Sequence, residues 1–300
     1  MTSTDTPKIS VLMTCYNAGL TIEASVRSII AQTFTNWELV LVDNCSTDNS
    51  LAVVQKFEDS RIRIIALETN HGRTGALNIA LNNALAEFVA ILDADDISDP
   101  ERLQMQNDYL DNNSKVVAVG SWYRNIDRDG KLLSKVKTPT SSINVVRQLA
   151  SDNPIVNSSA MFRSESARSL GGYNPKYLYS QDFALWLALS QIGELAILPS
   201  FLTDIRRVSS SLSMTSSNSL ILAKDSYELY IQAQNLPGLT LLDKLKSRRT
   251  IGLYGLLFAW RSLRTGSIIR ATGLLIKNLW AIPLAIIELL RKGFNSIKSV

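Results

Sequence analysis

Apolar residues recur along the first hundred positions in two alternating periods. Ile9–Met13 is a short run rich in β-branched residues, and Thr21–Phe34 then carries Ile22, Val26, Ile29 and Ile30 at helical spacing. Trp37–Val42 reads as the next strand and Thr47–Phe57 as a helix, with Ser46 or Thr47 as its cap. Arg61–Leu67 predicts a third strand, Thr74–Leu85 a helix, and Glu87–Leu92 a fourth strand. Strands that alternate with helices build right-handed βαβ units on a parallel sheet. The predicted class is α/β with a mainly parallel sheet.

In such sheets the ligand crevice lies outside the carboxyl ends of the strands. Those ends open here into Thr14–Gly19, Asp43–Asp48, Glu68–Arg73 and Asp93–Asp99, all rich in Asp, Asn, Thr and Gly. Further on, Asp99-Pro100-Glu101 opens a helix. Lys115–Tyr123 and Lys131–Val136 flank Asp129-Gly130, a hairpin signal. Beyond Asn153 the alternation breaks down, apart from a helix at Gln181–Gln191. Ser209–Ser219 reads as a Ser-rich loop or linker, and from Leu220 the pattern is helical, apolar and basic.

Composition narrows the chemistry. Of 300 residues 46% are hydrophobic, which excludes a collagen-like or disordered chain. Cys15 and Cys45 are too few for a disulfide framework or a four-ligand zinc site, and His71 alone excludes a site needing two imidazoles. Cysteine usage and the polar, leaderless start at Met1–Lys8 predict a cytoplasmic protein. The net charge of +4 hides an asymmetry. Residues 1–215 carry 19 Lys+Arg against 23 Asp+Glu, and residues 216–300 carry 12 against 4. Two domains with that boundary are expected, the second facing something anionic.

Asp93-Ala94-Asp95-Asp96 directly follows the fourth strand. Crowded carboxylates repel unless a cation or hydrogen-bond donors offset them. A Mg²⁺ or Mn²⁺ completed by substrate phosphates would do so, and so would a solvated turn with Asp99 as helix cap. No G-x-G-x-x-G follows the first strand, and no G-x-x-x-x-G-K-[ST] or G-x-S-x-G occurs. A dinucleotide fold, a P-loop nucleotidase and a Ser–His–Asp hydrolase are disfavoured together.

Ser10–Asn17 (SVLMTCYN), Val42–Ser50 (VDNCSTDNS), Asn70–Asn78 (NHGRTGALN), Leu92–Asp96 (LDADD), Gly171-Gly172-Tyr173 and Gln181–Trp186 (QDFALW) occur in this order. In these motifs residues 8–215 resemble the family 2 inverting glycosyltransferases. The resemblance implies the nucleotide-sugar-binding GT-A fold. It implies that Thr14, Tyr16, Asn17 and Asp43 form a nucleoside pocket, that Arg73 reaches the base or diphosphate, that Arg206 binds the diphosphate, and that Asp93 binds the ribose. Asp95, with Asp93, would hold a Mn²⁺ or Mg²⁺ bridging the diphosphate. Asp182 would be the general base, although an acid at a helix start is also an ordinary dipole partner.

The expected reaction is metal-dependent inverting transfer from a nucleotide-sugar donor, a UDP-sugar ahead of dTDP- or GDP-sugars. The acceptor would be a glycan or a lipid-linked glycan of a surface polysaccharide. The rival reading is a catalytically weak nucleotide-sugar-binding or membrane scaffold protein. Its support is Gln181 where Glu commonly precedes the base and Val208 where a histidine is usual. Asp43-Asn44-Cys45-Ser46 also departs from the usual Asp-Asp-Gly-Ser.

Residues 244–300 carry 11 Lys+Arg and one acid, Glu288, among apolar runs and the aromatics Tyr254, Phe258, Trp260, Trp280 and Phe294. Basic amphipathic helices of this kind lie on a membrane rather than span it. The expectation is peripheral association with the inner face of the cytoplasmic membrane. A helical subdomain packed on the first domain is the alternative, and no nucleic-acid motif accompanies the charge.

Overall fold

The computed structural model describes residues 6–207, 216–264 and 266–281. They fall into two compact units, Met1–Val145 with Pro154–Ser209, and Val146–Asn153 with Ser210–Val300.

In the first unit β1 (Ile9–Cys15), β2 (Trp37–Asp43), β3 (Ile62–Ala66) and β4 (Phe88–Ile91) alternate with α1 (Ile22–Ile30), α2 (Ser50–Val54) and α3 (Gly72–Asn83). The four strands are parallel in the order β3-β2-β1-β4. Ile9, Val11 and Met13 of β1 and Leu39 and Leu41 of β2 cluster with Ile22, Val26 and Ile29 of α1 and with Val54. The opposite face is covered by α3, which contacts β1 and β2 and buries Ala76, Leu77, Ala80 and Leu81. Burial from both sides is why β1, β2 and β4 read as near-continuous apolar runs, while the edge strand β3 is only half-buried.

The chain continues through β5 (Ile97–Ser98), α4 (Arg102–Asn112), β6 (Val116–Ile126), β7 (Leu132–Val136), α5 (Ser142–Leu149), β8 (Met161–Arg163), α6 (Ser164–Ser169), α7 (Gln181–Leu189) and β9 (Glu194–Arg206). The sheet order is β3-β2-β1-β4-β8-β6-β9-β5, with β7 on β6. β8 runs antiparallel to β4 and β6, while β6 and β9 are parallel, so the sheet is mostly parallel as predicted. β6 and β7 form the hairpin expected at Asp129-Gly130, where Gly130 takes a φ of 88°.

Two predicted elements differ. The helix expected over Thr47–Phe57 is reduced to Ser50–Val54, and neither Ser46 nor Thr47 caps it. Ser46 Oγ accepts from the Asn17 amide at 3.0 Å and the Thr47 amide donates to Asn17 Oδ1 at 2.8 Å, so both residues tie two loops together instead. β9 lay hidden in sequence because Pro199 interrupts it. The register against β6 jumps there, from Ser121 opposite Leu198 to Trp122 opposite Phe201, and Pro is tolerated where pairing is broken.

The second unit contains α8 (Ser216–Ala233), α9 (Leu241–Arg264), α10 (Ile268–Asn278) and a 3₁₀ turn at Leu279–Ala281. A reciprocal cap starts α9. Thr240 donates its amide and hydroxyl to Asp243 Oδ2 at 2.9 and 2.6 Å, and the Asp243 amide returns to Thr240 Oγ1 at 3.2 Å. Two glycines of α9 admit its partners closely. A Cβ at Gly252 would lie 2.3 Å from Ala281 Cβ, and one at Gly255 would lie 2.4 Å from Asn278 Nδ2. No described helix is long and apolar enough to cross a membrane. Most of the Ser-rich segment, and Val208, lie outside the described residues.

Candidate active site

The acidic loop after β4 is held from three directions. Asp93 donates its amide to Ser158 Oγ at 3.1 Å, and its carboxylate accepts from Asn157 Nδ2 at 3.0 Å and Arg73 Nη2 at 2.5 Å. Ser158 donates its own hydroxyl to buried Asp96 at 2.5 Å, whose second oxygen accepts the Arg206 amide at 2.8 Å. Beneath the loop, fully buried Arg102 donates to the carbonyls of Ile91 and Ala160 at 2.9 and 3.0 Å and to Gln106 at 3.0 Å. Burial brings its pKa down to about 9, against the pull of the Asp96 charge. Asp96 itself is pushed well above the ordinary carboxylate range, first by burial and then by Asp95 and Asp93.

Asp95 is left differently. It is half-buried and accepts no hydrogen bond from another described side chain. Burial and the neighbouring Asp93 raise its proton affinity, opposed by Arg73 and Arg206. Two adjacent carboxylates, one with open oxygens, are hard donors suited to Mg²⁺ or Mn²⁺. Among the described residues no group of three His, Cys, Asp or Glu could hold a metal. The donor set therefore fits a cation whose shell is completed by substrate phosphates and water.

Arg73, in the first turn of α3, links this loop to the start of α7. Its charge is favoured by Asp93 above all, then by Asp182 and Asp95. Asp182 stands in the first turn of α7, where burial raises its pKa. The Phe183 backbone and Arg73 pull it down, and Asp93 pushes it up. The sheet end thus brings Arg73, Asp93, Asp95 and Asp182 into one electrostatic group. α7 is anchored by Trp186, fully buried, which donates to the Ile155 carbonyl at 3.0 Å and meets Phe162 edge-on at 6.0 Å. Three buried polar atoms beside these residues have no partner among those described: Tyr173 Oη, Gln181 Oε1 and Asn157 Oδ1. The Tyr173 hydroxyl is kept from ionising by burial and by the charges of Asp182 and Asp93.

Asn78 of α3 clamps the segment leading to α7. Its Oδ1 accepts the Tyr173 amide and its Nδ2 donates to the Tyr173 carbonyl, both at 2.8 Å, while Thr74 holds the Tyr177 carbonyl at 2.8 Å. Gly172 makes the clamp possible, with a φ of 76° and room for no Cβ, which would lie 2.7 Å from Asn78 Oδ1. Gly172→Ala is expected to cost about 2–3 kcal/mol in urea unfolding, from left-handed strain plus a disturbed hydrogen bond. An unchanged midpoint would show that the loop relaxes freely.

The expected nucleoside residues surround the ends of β1 and β2. Thr14 is half-buried, and Tyr16 is 42% exposed, open for stacking. Asn17 takes a φ of 54° and clamps Thr47, so it shapes the loop. Asp43 is buried, accepting from Cys15 Sγ and the Ser46 amide, each at 3.2 Å. Burial and Asp43 push the Cys15 thiol well up, marking it as an inert packing group. Cys45 keeps a φ of 65°, the left-handed backbone that explains why glycine suits this position. Asn44 donates to Asn70 Oδ1 at 3.0 Å and accepts from the His71 amide at 2.8 Å, steering the chain into α3.

Arg206 has a structural duty that its motif did not reveal. Its Nε donates to the Asp95 carbonyl at 2.9 Å, and Nη1 to the carbonyls of Asp127 and Arg128 at 3.1 and 2.5 Å. It fastens the acidic loop to the β6–β7 hairpin, and any diphosphate contact falls to Nη2. Arg207 donates to Asn125 Oδ1 at 2.7 Å.

The family model described as Glycosyl transferase family 2 matches residues 10–171, more than half of the chain, and takes in the loops that follow β1 to β4. The chain belongs to glycosyltransferase family 2. This glycosyltransferase is 33% identical over 203 residues to the amylovoran biosynthesis glycosyltransferase AmsE of Erwinia amylovora, covering 66% of the chain and 75% of AmsE. A shorter match, 45% over 98 residues, covers 33% of the chain and 39% of WfgD of Escherichia coli, a UDP-Glc:alpha-D-GlcNAc-diphosphoundecaprenol beta-1,3-glucosyltransferase. Other curated glycosyltransferases are matched over 68%, 65% and 64% of their length. Among solved structures, mannosyltransferase PcManGT from Pyrobaculum calidifontis, in complex with GDP-Man and Mn²⁺, superposes with a TM-score of 0.61 at 21% identity. That likeness covers 97% of the chain and 81% of PcManGT, and it shows the GT-A fold.

Proposed function

We propose that this glycosyltransferase moves a sugar from a nucleotide-sugar, a UDP-sugar by preference, to a glycan or lipid-linked acceptor in surface polysaccharide synthesis, with inversion at the anomeric carbon. The observation that carries the reading is the convergence of Asp95, open and half-buried, with Asp93, Arg73 and Asp182 at the carboxyl end of one sheet. The roles of AmsE in amylovoran biosynthesis and of WfgD as a UDP-Glc:alpha-D-GlcNAc-diphosphoundecaprenol glucosyltransferase support the polysaccharide setting, the UDP donor and a lipid diphosphate acceptor.

Asp95 and Asp93 would hold a divalent cation, as the Mn²⁺ complex of PcManGT supports. A cation bound there supplies charge neutralisation for the departing diphosphate. Tyr16 would stack on the base, with Thr14 and Asp43 beside it, and Arg73 would orient the diphosphate with a charge-assisted fork. Asp182 takes the proton of the acceptor hydroxyl. The oxygen forms the new bond to the anomeric carbon as the bond to the diphosphate breaks, and the electron pair leaves with the nucleotide. Residues 1–215 would form the catalytic domain. Residues 244–300 would rest on the inner face of the cytoplasmic membrane, where a lipid-linked acceptor is presented.

Titration calorimetry of UDP, dTDP and GDP, each with and without Mn²⁺, tests the donor site. One nucleotide is expected to bind in a Mn²⁺-dependent manner, and Asp95→Ala is expected to weaken it at least tenfold, the loss of a charge-assisted contact. Failure of all three to bind would overturn the assignment.

A further inference from the structure

Around α10 the apolar residues do not all face inward. At 100° per residue, Ile268, Thr272, Ile276, Ile269 and the following Leu279 fall within an arc of roughly 100°. In the structure Ile268, Ile269 and Ile276 are 67%, 91% and 66% exposed, and Leu279 and Trp280 are exposed beside them. The packed side of the helix is occupied by Ala271 and Asn278, which are buried. Apolar residues thus lie on both sides of α10, and among the described residues of the unit only one side is packed.

The charges around this face have one sign. Residues 244–281 contain eight Lys+Arg and no acid. Arg270 and Lys277 border the exposed arc across Gly273, and neither forms an ion pair among the described residues. Lys277 and Trp280 also line a cleft of about 540 Å³ with Arg248, Tyr227, Ile231 and Ile251. Arg248, too, has no ion-pair partner among the described residues. Beside the apolar arc, then, stands a recess with two uncompensated cations and an indole at its rim.

We infer that the exposed face of α10, from Ile268 to Trp280, is where this chain lies on an anionic membrane, with Ile268, Ile269, Ile276 and Leu279 in the acyl boundary and Arg248, Arg270 and Lys277 at the headgroup phosphates. The inference rests on the proposed membrane setting and assigns it to one face. Charge complementarity selects the occupant. A protein surface covering the arc would also have to supply acids to Arg248, Arg270 and Lys277, whereas an anionic leaflet supplies a continuous negative field. An amphipathic helix with an apolar arc and a basic border suits the interface plane, and long basic side chains reach headgroups while their stems lie along apolar surface.

Co-sedimentation of the full chain with phosphatidylcholine vesicles, with and without about a third phosphatidylglycerol, tests this. The wild type is expected to bind the anionic vesicles and to be released by salt. Ile269→Ser with Ile276→Ser is expected to weaken binding roughly thirtyfold. Arg270→Gln with Lys277→Gln is expected to weaken it roughly thirtyfold, at about 1 kcal/mol per cation. Absence of binding by the wild type, or equal binding by the serine variant, overturns the inference. So does sedimentation velocity showing a lipid-free dimer that the serine variant turns into monomers, which would make the face a contact between copies. Calorimetric nucleotide binding on the same samples separates the two readings. Variants that bind nucleotide like the wild type are folded, and a wild type that binds vesicles but no nucleotide refutes the catalytic reading alone.

Discussion

Asp182→Asn is expected to lower the rate of sugar transfer by about three orders of magnitude while leaving nucleotide affinity within about twofold, the span of a lost general base. Asparagine keeps the shape and can still accept the Phe183 amide that favours the carboxylate, but it cannot take a proton. The pH profile gives a second reading. Burial raises the Asp182 pKa above its ordinary value, and a base works only when ionised, so kcat/KM is expected to fall as pH drops through that raised value. The variant should lose this limb. Stability should move the other way. A carboxyl whose folded pKa is raised contributes stability that is fully present below its unfolded pKa and lost as pH rises through the folded one. Once ionised, the buried Asp182 is a cost to the fold, and Asp182→Asn is expected to melt no lower than the wild type. Full activity in the variant, or a large drop in Tm, would remove Asp182 from the role of base and leave it a helix-start charge.

The parts of this site that sequence displays are those whose meaning is local. Asp93, Asp95 and Asp96 are adjacent, and mutual repulsion alone announces that something must offset them. Apolar runs announce β1, β2 and β4 because strands buried on both faces have no polar side to blur the run. Arg102 shows the opposite case. Beside Pro100 and Glu101 it reads as the exposed start of a helix, yet it is fully buried and bonded to carbonyls 11 and 58 positions away. Asn157 and Ser158 hold the acidic loop from 62 to 65 positions distant, and a short polar stretch with no period carries no trace of that duty. Asn78 lay inside a recognisable motif, but its clamp on Tyr173 depends on the missing Cβ of Gly172, which only the folded geometry exposes. For Arg206 the resemblance implies a diphosphate contact, and the structure adds that two of its nitrogens already bind backbone carbonyls.

Arg73→Met is expected to reduce transfer at neutral pH by about two orders of magnitude, the worth of a charge-assisted contact. Methionine preserves much of the length and removes only the charge and the fork. Arg73 contacts Asp93 at 2.5 Å and lowers the proton affinity of both Asp95 and Asp182. Without it, all three acids face one another with their nearest cation gone. Asp182 should then hold its proton to higher pH, so the acid limb of kcat/KM is expected to move upward and less base is ionised at any fixed pH. Nucleotide diphosphate binding should weaken in the same variant, because the guanidinium is the cation poised between the acidic loop and α7. Arg73→Lys separates the two effects. An ammonium restores the charge but not the planar fork, so the pH limb is expected to return toward the wild-type position while nucleotide affinity recovers only in part. If Arg73→Met weakened nucleotide binding and left the pH limb unmoved, Arg73 would be a diphosphate ligand with no hold on the base. If it did neither, the Arg73–Asp93 pair would serve the fold alone.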